Sequence, residues 1–584
     1  MNKLIIFSAL SIAVLSCVMV LGKNNKSITL SEPANPQLIS PFQNWEEVDE
    51  PMVSWGCSNS RYHKNYIPEL ELKDELFVTG WKNERLYAQA VVWTADSIHN
   101  LSVEVSDLSC ESGHTIFGGV NSYFVRNVIG DEFMGGCGYK KHSSETSHLI
   151  ADCLDNSSNI TMSDKSARGI WFNIDVPVDA KAGRYLSEVT ILNKNDVIKK
   201  LKLKVDVINR TLPQAKDWTY HLDLWQNPYA VARINEVPLW SEEHWQYMQP
   251  LYTRLANAGQ KCITATITNT PWGGQTYDAF QSMIEHKLKK DGSWEYDYTV
   301  FDNWVEFMME LGIDKQINCY SLIPWKNKLC YHDELAQKDT FMIAPASSNE
   351  FETYWRPFLL DFKEHLCDKG WFEKTSIAMD ERPLKDMMIA VNLIEEIGGF
   401  KISSAANYDP EFSSHITDLS FESRYLLSDS ILEDRRSKGY ITTFYVCCSA
   451  EYPNNFTYSE PSEGVWQGWY AYAKNLDGFL RWAYNSWAED PMQDTRFITW
   501  PSGDTFFVYP GNISSIRFEK LREGIQDFEK LTILMNEFKA SDKPEAKIQI
   551  QKLEELLKNF EIANIPEQGT KQMILEGKRL LNNL

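Results

Sequence analysis

Between residues 218 and 485, strand-length apolar runs alternate with helical patterns, and this alternation constrains the fold more than any other feature. The predicted strands are Tyr220–Trp225, Cys262–Ile267, Gln316–Ile323, Ser376–Met379, Lys401–Ala405, Leu419–Glu422, Ile441–Cys447 and Phe479–Tyr484. Predicted helices lie between most of them, at Glu242–Ala258, Phe301–Leu311, Glu350–Lys369 and Leu384–Ile397. Strand–helix alternation repeated about eight times is typical of a (β/α)₈ barrel. We assign residues 213–514 to this barrel.

The segments on either side of the barrel follow different patterns. Residues 44–212 alternate apolar and polar positions with period two, as in Leu86–Trp93 and Ile170–Val176, and turn residues interrupt them often. Many short strands without a convincing helix predict a β-sandwich. Residues 515–584 are charged and helical. The predicted fold class is a multidomain β plus α/β protein: an N-terminal β-sandwich, a (β/α)₈ barrel catalytic domain and a C-terminal helical extension.

The N-terminus predicts export. Residues 1–22 combine a short basic start with a long apolar run, which is typical of a signal peptide. Val14-Leu15-Ser16-Cys17 resembles a bacterial lipobox with Cys17 as the lipidated residue, although an uncleaved anchor or cleavage near Gly22 stays open. Residues 23–43 would then be a tether. We expect a periplasmic or outer-membrane lipoprotein of a bacterium, with membrane contact only through this lipid.

Charge and motifs exclude several classes of function. The net charge of −22 disfavours nucleic acid as a partner, because phosphate binding needs clustered Lys and Arg. Nucleotide-binding and zinc-binding motifs do not occur, so we expect no metal and no cofactor. Four early cysteines are candidates for disulfide pairing in an oxidising compartment: Cys57, Cys110, Cys137 and Cys153. The adjacent pair Cys447-Cys448 lies in an apolar run and is interpreted as buried free thiols.

The candidate catalytic residues are the neighbouring acids Asp380 and Glu381. The chain contains five Asp-Glu pairs, but only this one directly follows a buried-strand pattern. In a barrel, catalytic groups come from the carboxyl ends of strands. Two acids at a crowded strand mouth repel each other and lose solvent, which raises the pKa of one of them, as a general acid requires. The alternative is a structural salt bridge with Arg382.

Aromatic residues recur at the predicted strand mouths, which favours sugar as the ligand. Aromatic faces suit the apolar faces of pyranose rings, while polar edges serve the hydroxyls. A single aromatic residue at such a position more often packs in the barrel than contacts a ligand. The residues concerned are Trp225, Trp272, Trp325, Tyr408, Tyr484 and Trp487.

Four segments resemble glycoside hydrolase family 123. Gly478–Trp487, Trp500–Gly511 and Ser515–Gly524 resemble the C-terminal part of that family, and Ser376–Pro383 resembles its catalytic segment. The resemblance covers roughly Trp218 to the end of the chain, and the sandwich matches the family's N-terminal domain. It implies an exo-acting β-N-acetylgalactosaminidase that uses substrate-assisted retention on glycans with a terminal β-linked GalNAc.

The resemblance also implies roles for individual residues. Glu381 would protonate the leaving oxygen and then activate water, and Asp380 would orient the acetamido N–H and stabilise the oxazolinium ion. Tyr445 is a candidate donor to the acetamido carbonyl, or a core residue. Asn485 and Asp504 are candidates for binding sugar hydroxyls, although Asp504 could equally be a turn residue.

Two other functions stay open. One is an exo-glycosidase of the same superfamily that uses Glu381 as the acid and a distant carboxylate, such as Glu422, as the nucleophile. The other is a non-catalytic glycan-binding surface lipoprotein. The predicted sandwich contains no candidate catalytic residue, so we expect it to position the barrel or to contact polymeric glycan.

Overall fold

The computed structural model of the chain describes residues 31–36, 44–137, 145–497 and 500–584. The predicted signal at 1–22, including Cys17, and most of the predicted tether at 23–43 lie outside the described residues. Within the described part, no helix has both the length and the apolar character needed to cross a bilayer.

The N-terminal region consists of two packed β-sheets, as predicted. Its strands are β1 (Met52–Trp55), β2 (Glu75–Lys82), β3 (Arg85–Thr94), β4 (Ile98–Val105), β5 (Leu108–Cys110), β6 (Thr115–Ile116), β7 (Val120–Asp131), β8 (Ser147–Asp155), β9 (Asn159–Met162), β10 (Ser166–Asp175), β11 (Gly183–Asn193) and β12 (Asp196–Thr211). One sheet has the order β1-β3-β10-β7-β8, and the other has the order β2-β12-β11-β4-β9 with β5 and β6 attached. The Trp55 indole donates to the carbonyl of Lys202 in the opposite sheet (3.1 Å).

Eight parallel strands with intervening helices follow and form a nearly closed barrel. In chain order the elements are β13 (His221–Leu224), α1 (Pro228–Asn235), α2 (Glu242–Ala256), β14 (Cys262–Thr266), β15 (Glu285–Leu288), β16 (Trp294–Asp297), α3 (Thr299–Glu310), β17 (Gln316–Tyr320), β18 (Lys328–Asp333), β19 (Lys338–Ile343), α4 (Asn349–Asp368), β20 (Thr375–Met379), α5 (Leu384–Ile397), β21 (Lys401–Ala405), α6 (Pro410–Ser413), β22 (Asp418–Glu422), α7 (Asp429–Ser437), β23 (Ile441–Tyr445), α8 (Pro461–Ala473) and β24 (Gly478–Arg481). The barrel order is β13-β24-β23-β22-β21-β20-β17-β14. The predicted fold class is confirmed.

Three predicted barrel strands extend two or more residues beyond the observed ends. β17 ends at Tyr320, β23 ends at Tyr445 and β24 ends at Arg481. The residues just beyond, such as Leu322 and Val446, are still fully buried although they have left the ladder. An apolar pattern indicates burial rather than strand pairing. At a crowded barrel mouth the predicted strands are therefore longer than the observed ones.

The C-terminal helices are α9 (Ile516–Lys539), α10 (Pro544–Leu557), α11 (Ile565–Gln568) and α12 (Thr570–Leu581). Helices α8 and α9 cross so closely that a Cβ on Gly468 would lie 2.1 Å from the carbonyl oxygen of Gly524. Only glycine fits such a crossing. Helix α8 is buried along most of its length, and it therefore shows no apolar stripe by which the sequence could have revealed it.

The barrel closes between β13 and β14 with few backbone bonds. The two strands share one isolated bridge, Leu222 to Gln260. The buried amide of Gln260 takes the place of a peptide there, since its Oε1 accepts from Leu224 N (2.9 Å) and its Nε2 donates to Cys262 O (2.8 Å). Nearer the carboxyl ends of the two strands, Thr264 N donates to the side-chain oxygen of Gln226 (2.8 Å). Side-chain amides thus complete the ring of strands.

Two loops at the carboxyl end of the barrel combine into a separate four-stranded sheet. The loop after β14 supplies β15 and β16, and the loop after β17 supplies β18 and β19, in the order β16-β15-β18-β19. The two hairpins join through a short parallel pairing of Lys287 with His332. The sequence analysis missed this sheet, because its central pairing joins segments that are distant in the chain.

One disulfide links the sandwich to the barrel and corrects the cysteine predictions. Cys137 bonds to Cys448, 311 residues away. Cys448 is therefore not a free thiol, whereas its neighbour Cys447 is free. The early cysteines Cys57, Cys110 and Cys153 are also free. The predicted pairing within the early group failed because the partner of Cys137 is brought near only by the tertiary fold.

Candidate active site

Asp380 and Glu381 leave the end of β20 in different directions. The strand is buried at every residue, and Asp380 continues that burial with 8% of its surface exposed. Glu381 is exposed at the barrel mouth. The adjacent acids therefore occupy different environments, one enclosed and one open to solvent.

Asp380 is held by two cationic or polar donors. The indole Nε1 of Trp325 donates to Oδ2 (2.7 Å), and Arg382 Nη1 donates to the same oxygen (3.0 Å). Arg382 Nη2 lies 2.7 Å from Oδ1, yet no donor among the described residues is aligned to hydrogen-bond with Oδ1. Oδ1 is itself buried, and its ion pair with Arg382 holds the carboxylate in place at the end of β20.

Burial dominates the electrostatics of Asp380. It raises the pKa of this carboxyl to about 6, while the Arg382 charge and the Trp325 hydrogen bond act in the opposite direction. Asp380 is therefore ionised at neutral pH and becomes protonated in mildly acidic solution.

Arg382 also organises the rim of the barrel. Its guanidinium donates to the carbonyls of Ile323 (2.9 Å) and Pro271 (3.3 Å), in the loops after β17 and β14, and to the carbonyl of Glu381 (2.7 Å). It stacks over Trp325 at 4.7 Å. Arg382 thus pairs with Asp380 and also binds the rim of the barrel.

Glu381 is positioned by Tyr445, at the end of β23. The phenol OH donates to Glu381 Oε1. Burial and the nearby Glu381 carboxylate both raise the pKa of Tyr445, so the phenol keeps its proton. The sequence analysis proposed Tyr445 as a donor to the substrate; in the unliganded structure its partner is Glu381.

Glu422, the alternative nucleophile, is engaged by its own partners. It ends β22 beside Tyr445 and is 5% exposed. Arg424 Nε lies 3.0 Å from both carboxylate oxygens, and Ser423 Oγ donates to Oε1 (3.2 Å). These bonds lower the availability of Glu422 as a nucleophile.

The predicted aromatic residues separate into a mouth group and a buried group. Trp225 stacks on Trp272 (4.9 Å between centroids) and contacts Tyr320 (4.5 Å), in an apolar cluster that also includes Tyr445. Tyr408 is partly exposed in the loop after β21. Trp225 forms part of the floor of the mouth.

Three of the residues predicted to bind substrate are instead fully enclosed. Tyr484 donates to Leu251 O (3.0 Å), Asn485 exchanges hydrogen bonds with the Asn227 backbone, and Trp487 donates to Val508 O (2.6 Å). All three are at most 1% exposed. These side chains anchor the segment after β24 and are not accessible to a sugar in this structure.

Asp504 is likewise structural in this geometry. It forms a buried ion pair with Arg481 (2.6 Å) and accepts from the Trp482 indole (3.3 Å). Trp482 packs against the apolar cluster of the mouth. Asp504 lies in a turn, as the alternative interpretation predicted, because its N–H donates to Pro501 O (3.1 Å). It is 1% exposed, so it supports the mouth from behind and does not contact a sugar directly in this structure.

Sequence reasoning named Trp325 only as one of several rim aromatics. Its bond to Asp380 was missed, because nothing in the sequence pairs a loop tryptophan with an acid that lies 55 positions later. The sequence feature that could have indicated this bond is the position of Trp325 in the loop after β17, since β17 is next to β20 in the barrel.

One buried group could in principle ligate a metal. In the barrel interior, Cys262 Sγ and Asp418 Oδ2 each lie 3.3 Å from His221 Nε2. The ion pair and the thiol contact satisfy these groups mutually, so the arrangement gives no independent indication of a metal.

Two family models match the chain. The catalytic domain of glycoside hydrolase 123 matches residues 225–534, and the N-terminal domain of glycoside hydrolase 123 matches residues 55–193. The first range contains Asp380, Glu381, Trp325 and Tyr445.

The chain is also similar to solved structures. A family 123 glycoside hydrolase from Clostridium perfringens, described in connection with glycolipid glycan hydrolysis, superposes with a TM-score of 0.82 at 28% identity, over 91% of this chain and 98% of that one. A family 5 xyloglucanase from Bacteroides ovatus reaches a TM-score of only 0.29 at 8% identity, over 77% of this chain and 98% of that one. A family 39 glycoside hydrolase from Bacteroides cellulosilyticus reaches 0.32 at 9% identity, over 69% and 80%. No curated protein matches.

Proposed function

Because the chain belongs to glycoside hydrolase family 123, we propose that it is an exo-acting β-N-acetylgalactosaminidase in which the substrate's own 2-acetamido group is the nucleophile. The observation that carries the proposal is the contrast between the two neighbouring acids. Asp380 is enclosed and paired with Arg382, whereas Glu381 is open to the leaving group and to water.

Each acid then has one task. The acetamido oxygen attacks the anomeric carbon, the glycosidic bond breaks, and the Glu381 carboxyl gives its proton to the leaving oxygen. Asp380 accepts the acetamido N–H and stabilises the positive charge on the oxazolinium ring. The Glu381 carboxylate next removes a proton from water, which attacks the anomeric carbon and reopens the ring.

The arrangement of carboxylates supports this route over an enzyme nucleophile. A retaining enzyme with its own nucleophile needs a second carboxylate about 5–5.5 Å from the acid, across the scissile bond. Asp380 is held by Trp325 and Arg382, and Glu422 is bound by Arg424. Each carboxylate is thus held by an arginine of its own, and a substrate nucleophile needs no second carboxylate.

A panel of aryl glycosides tests the proposal. The exported part of the chain should hydrolyse 4-nitrophenyl β-GalNAc, and any turnover should require the acetamido group. Release of nitrophenol is the measurement. Hydrolysis of the plain β-galactoside would favour an enzyme nucleophile such as Glu422, and binding without hydrolysis of any glycoside would favour a non-catalytic glycan-binding protein.

The pH profile should report Asp380. In the proposed mechanism Asp380 must be ionised, and its pKa is raised to about 6 by burial. We therefore expect kcat/KM on the aryl GalNAc glycoside to fall as the pH drops through about 6, because protonation removes the acceptor for the acetamido N–H.

The variant Glu422→Gln is the matched control for that profile. It removes a buried carboxylate from the end of β22, two strands away from β20, and leaves Asp380 in place, so the acidic limb of the profile should stay near pH 6. A wild-type profile that is flat across this range would show that Asp380 does not have to be ionised.

A further inference from the structure

The four-stranded sheet formed by β15, β16, β18 and β19 stands on the same rim as the candidate active site. Its strands come from the loops after β14 and β17, and loops after barrel strands lie at the catalytic end. The same loops supply Pro271 and Trp325, which contact Arg382 and Asp380. The sheet is therefore joined directly to the candidate site.

The two faces of this sheet have different surroundings. On one face, His286 stacks on Tyr354 of α4 (5.0 Å) and Tyr296 packs against Phe358 (5.3 Å). This face is part of the protein core. The other face has no such cover among the described residues, and Phe341 on it is 52% exposed.

The uncovered face combines one aromatic ring with paired charges. Its cross-strand pairs are Lys328 with Ile343, Cys330 with Phe341, and His332 with Asp339. The Lys328 ammonium lies 4.2 Å from the Phe341 ring centroid, and His332 Nδ1 lies 2.8 Å from Asp339 Oδ1. The cationic groups of β18 thus already have partners.

A cavity of about 440 Å³ lies against this face. Small-ligand sites typically have volumes of about 300–1,000 Å³. Asn269, Lys328 and Phe341 line it, together with the carboxylates Glu285, Asp297 and Asp339. An aromatic ring beside amide and carboxylate acceptors suits a neutral sugar, since the ring meets the C–H face of a pyranose and the acceptors meet its hydroxyls. The three carboxylates of the lining disfavour a sialylated or sulfated sugar, because their negative charges would repel it.

Chain continuity places the cavity next to the catalytic loop. Lys328 follows Trp325 by three residues, and Asn269 precedes Pro271 by two. Trp325 N donates to Pro271 O (2.9 Å), which fixes the two loops together. The few residues of chain between Trp325 and the lining of the cavity keep the two close together. A glycan that extends from the candidate site past Trp325 would therefore meet this cavity.

We propose that this cavity is a subsite for the neutral sugars that precede the terminal residue of the glycan. The proposal rests on the proposed function, since it assumes an exo-acting enzyme that holds the terminal sugar at Asp380 and Glu381. Phe341 is the stacking platform. The subsite contributes specificity for the underlying glycan and plays no part in bond cleavage.

The variant Phe341→Ala tests the subsite through a ratio of substrates. The substrates are a neutral tetrasaccharide ending in β-GalNAc and 4-nitrophenyl β-GalNAc, which lacks the sugars that precede the terminal residue. The ratio of kcat/KM on the tetrasaccharide to that on the aryl glycoside should fall about ten-fold, as expected for the loss of one sugar–aromatic contact.

Leu335→Ala is the matched control, because Leu335 is an exposed apolar residue at the tip of the same β18–β19 hairpin, outside the cavity. Its ratio should match the wild type. An unchanged ratio in Phe341→Ala, or an equal fall in both variants, overturns the subsite.

A binding experiment separates this proposal from the proposed function. The neutral trisaccharide that lacks the terminal GalNAc is titrated into the wild-type protein and into Phe341→Ala by calorimetry or saturation-transfer NMR. Binding by the wild type that weakens in the variant supports the subsite even if no GalNAc glycoside is hydrolysed. No wild-type binding overturns it, as does a Phe341-dependent association with phosphatidylcholine vesicles alone, which would identify a membrane-contact face.

Discussion

Glu381→Gln is expected to lower kcat/KM on a glycan with a poor leaving group by about 10²–10⁴-fold, the range typical of a lost general acid. The glutamine keeps the size of the side chain and can still receive the Tyr445 hydrogen bond. It cannot protonate the leaving oxygen. On a dinitrophenyl glycoside, whose leaving group needs little protonation, the formation of the oxazolinium ion should be largely preserved.

Asp380→Asn provides the contrasting result. An asparagine in this position cannot carry the negative charge that stabilises the oxazolinium ion, so the loss should be of similar size on activated and unactivated leaving groups. Single-turnover kinetics on both substrates measure the difference. Equal losses on every substrate in both variants would refute the division of labour between the two acids.

A thiazoline analogue of GalNAc should bind at least about 10²-fold more tightly than the substrate, because it has the bicyclic shape of the proposed intermediate. Its ring nitrogen would lie where Asp380 receives the acetamido N–H. Affinity should therefore collapse in Asp380→Ala and fall less in Glu381→Gln. Competitive inhibition of aryl glycoside hydrolysis, with calorimetry for the inactive variants, gives the affinities.

Trp325→Phe is the graded control for this experiment. It keeps an aromatic ring beneath Arg382 but removes the indole N–H that donates to Asp380 (2.7 Å), so the loss of thiazoline affinity should be intermediate. An enzyme nucleophile predicts the reverse pattern: weak thiazoline inhibition and a covalent adduct with a 2-fluoro sugar. Mass spectrometry that located such an adduct on any Asp or Glu would end the substrate-assisted proposal.

The sequence predicted features that depend on local pattern. Barrel strands are buried on both sides, so Thr375–Met379 and its counterparts stand out as short apolar runs. Asp380 and Glu381 were identified because they break such a run at its end. These inferences need only the chain's own periodicity and the rule that barrel sites lie at strand ends.

Features that depend on distant contacts were beyond sequence reasoning. β15 pairs with β18, and Cys137 bonds to Cys448. Each of these pairings joins segments that are distant in the chain and that no repeating apolar pattern relates. Tyr484 and Trp487 were misjudged for a related reason. An aromatic residue after a barrel strand can face the mouth or the outer packing layer. Which of the two it faces depends on whether other segments cover it, as those of Leu251 and Val508 do here.

The side-chain closure between β13 and β14 also has a bearing on how this protein can fail. A barrel protects its strands from foreign pairing because it has no edges. Here that protection depends on the amides of Gln226 and Gln260, which replace most of the missing ladder. Without them, two fully buried strands would keep unpaired N–H and C=O groups inside the protein. The seam between β13 and β14 is therefore the place where the loss of a side chain, rather than of a backbone pairing, would open the barrel.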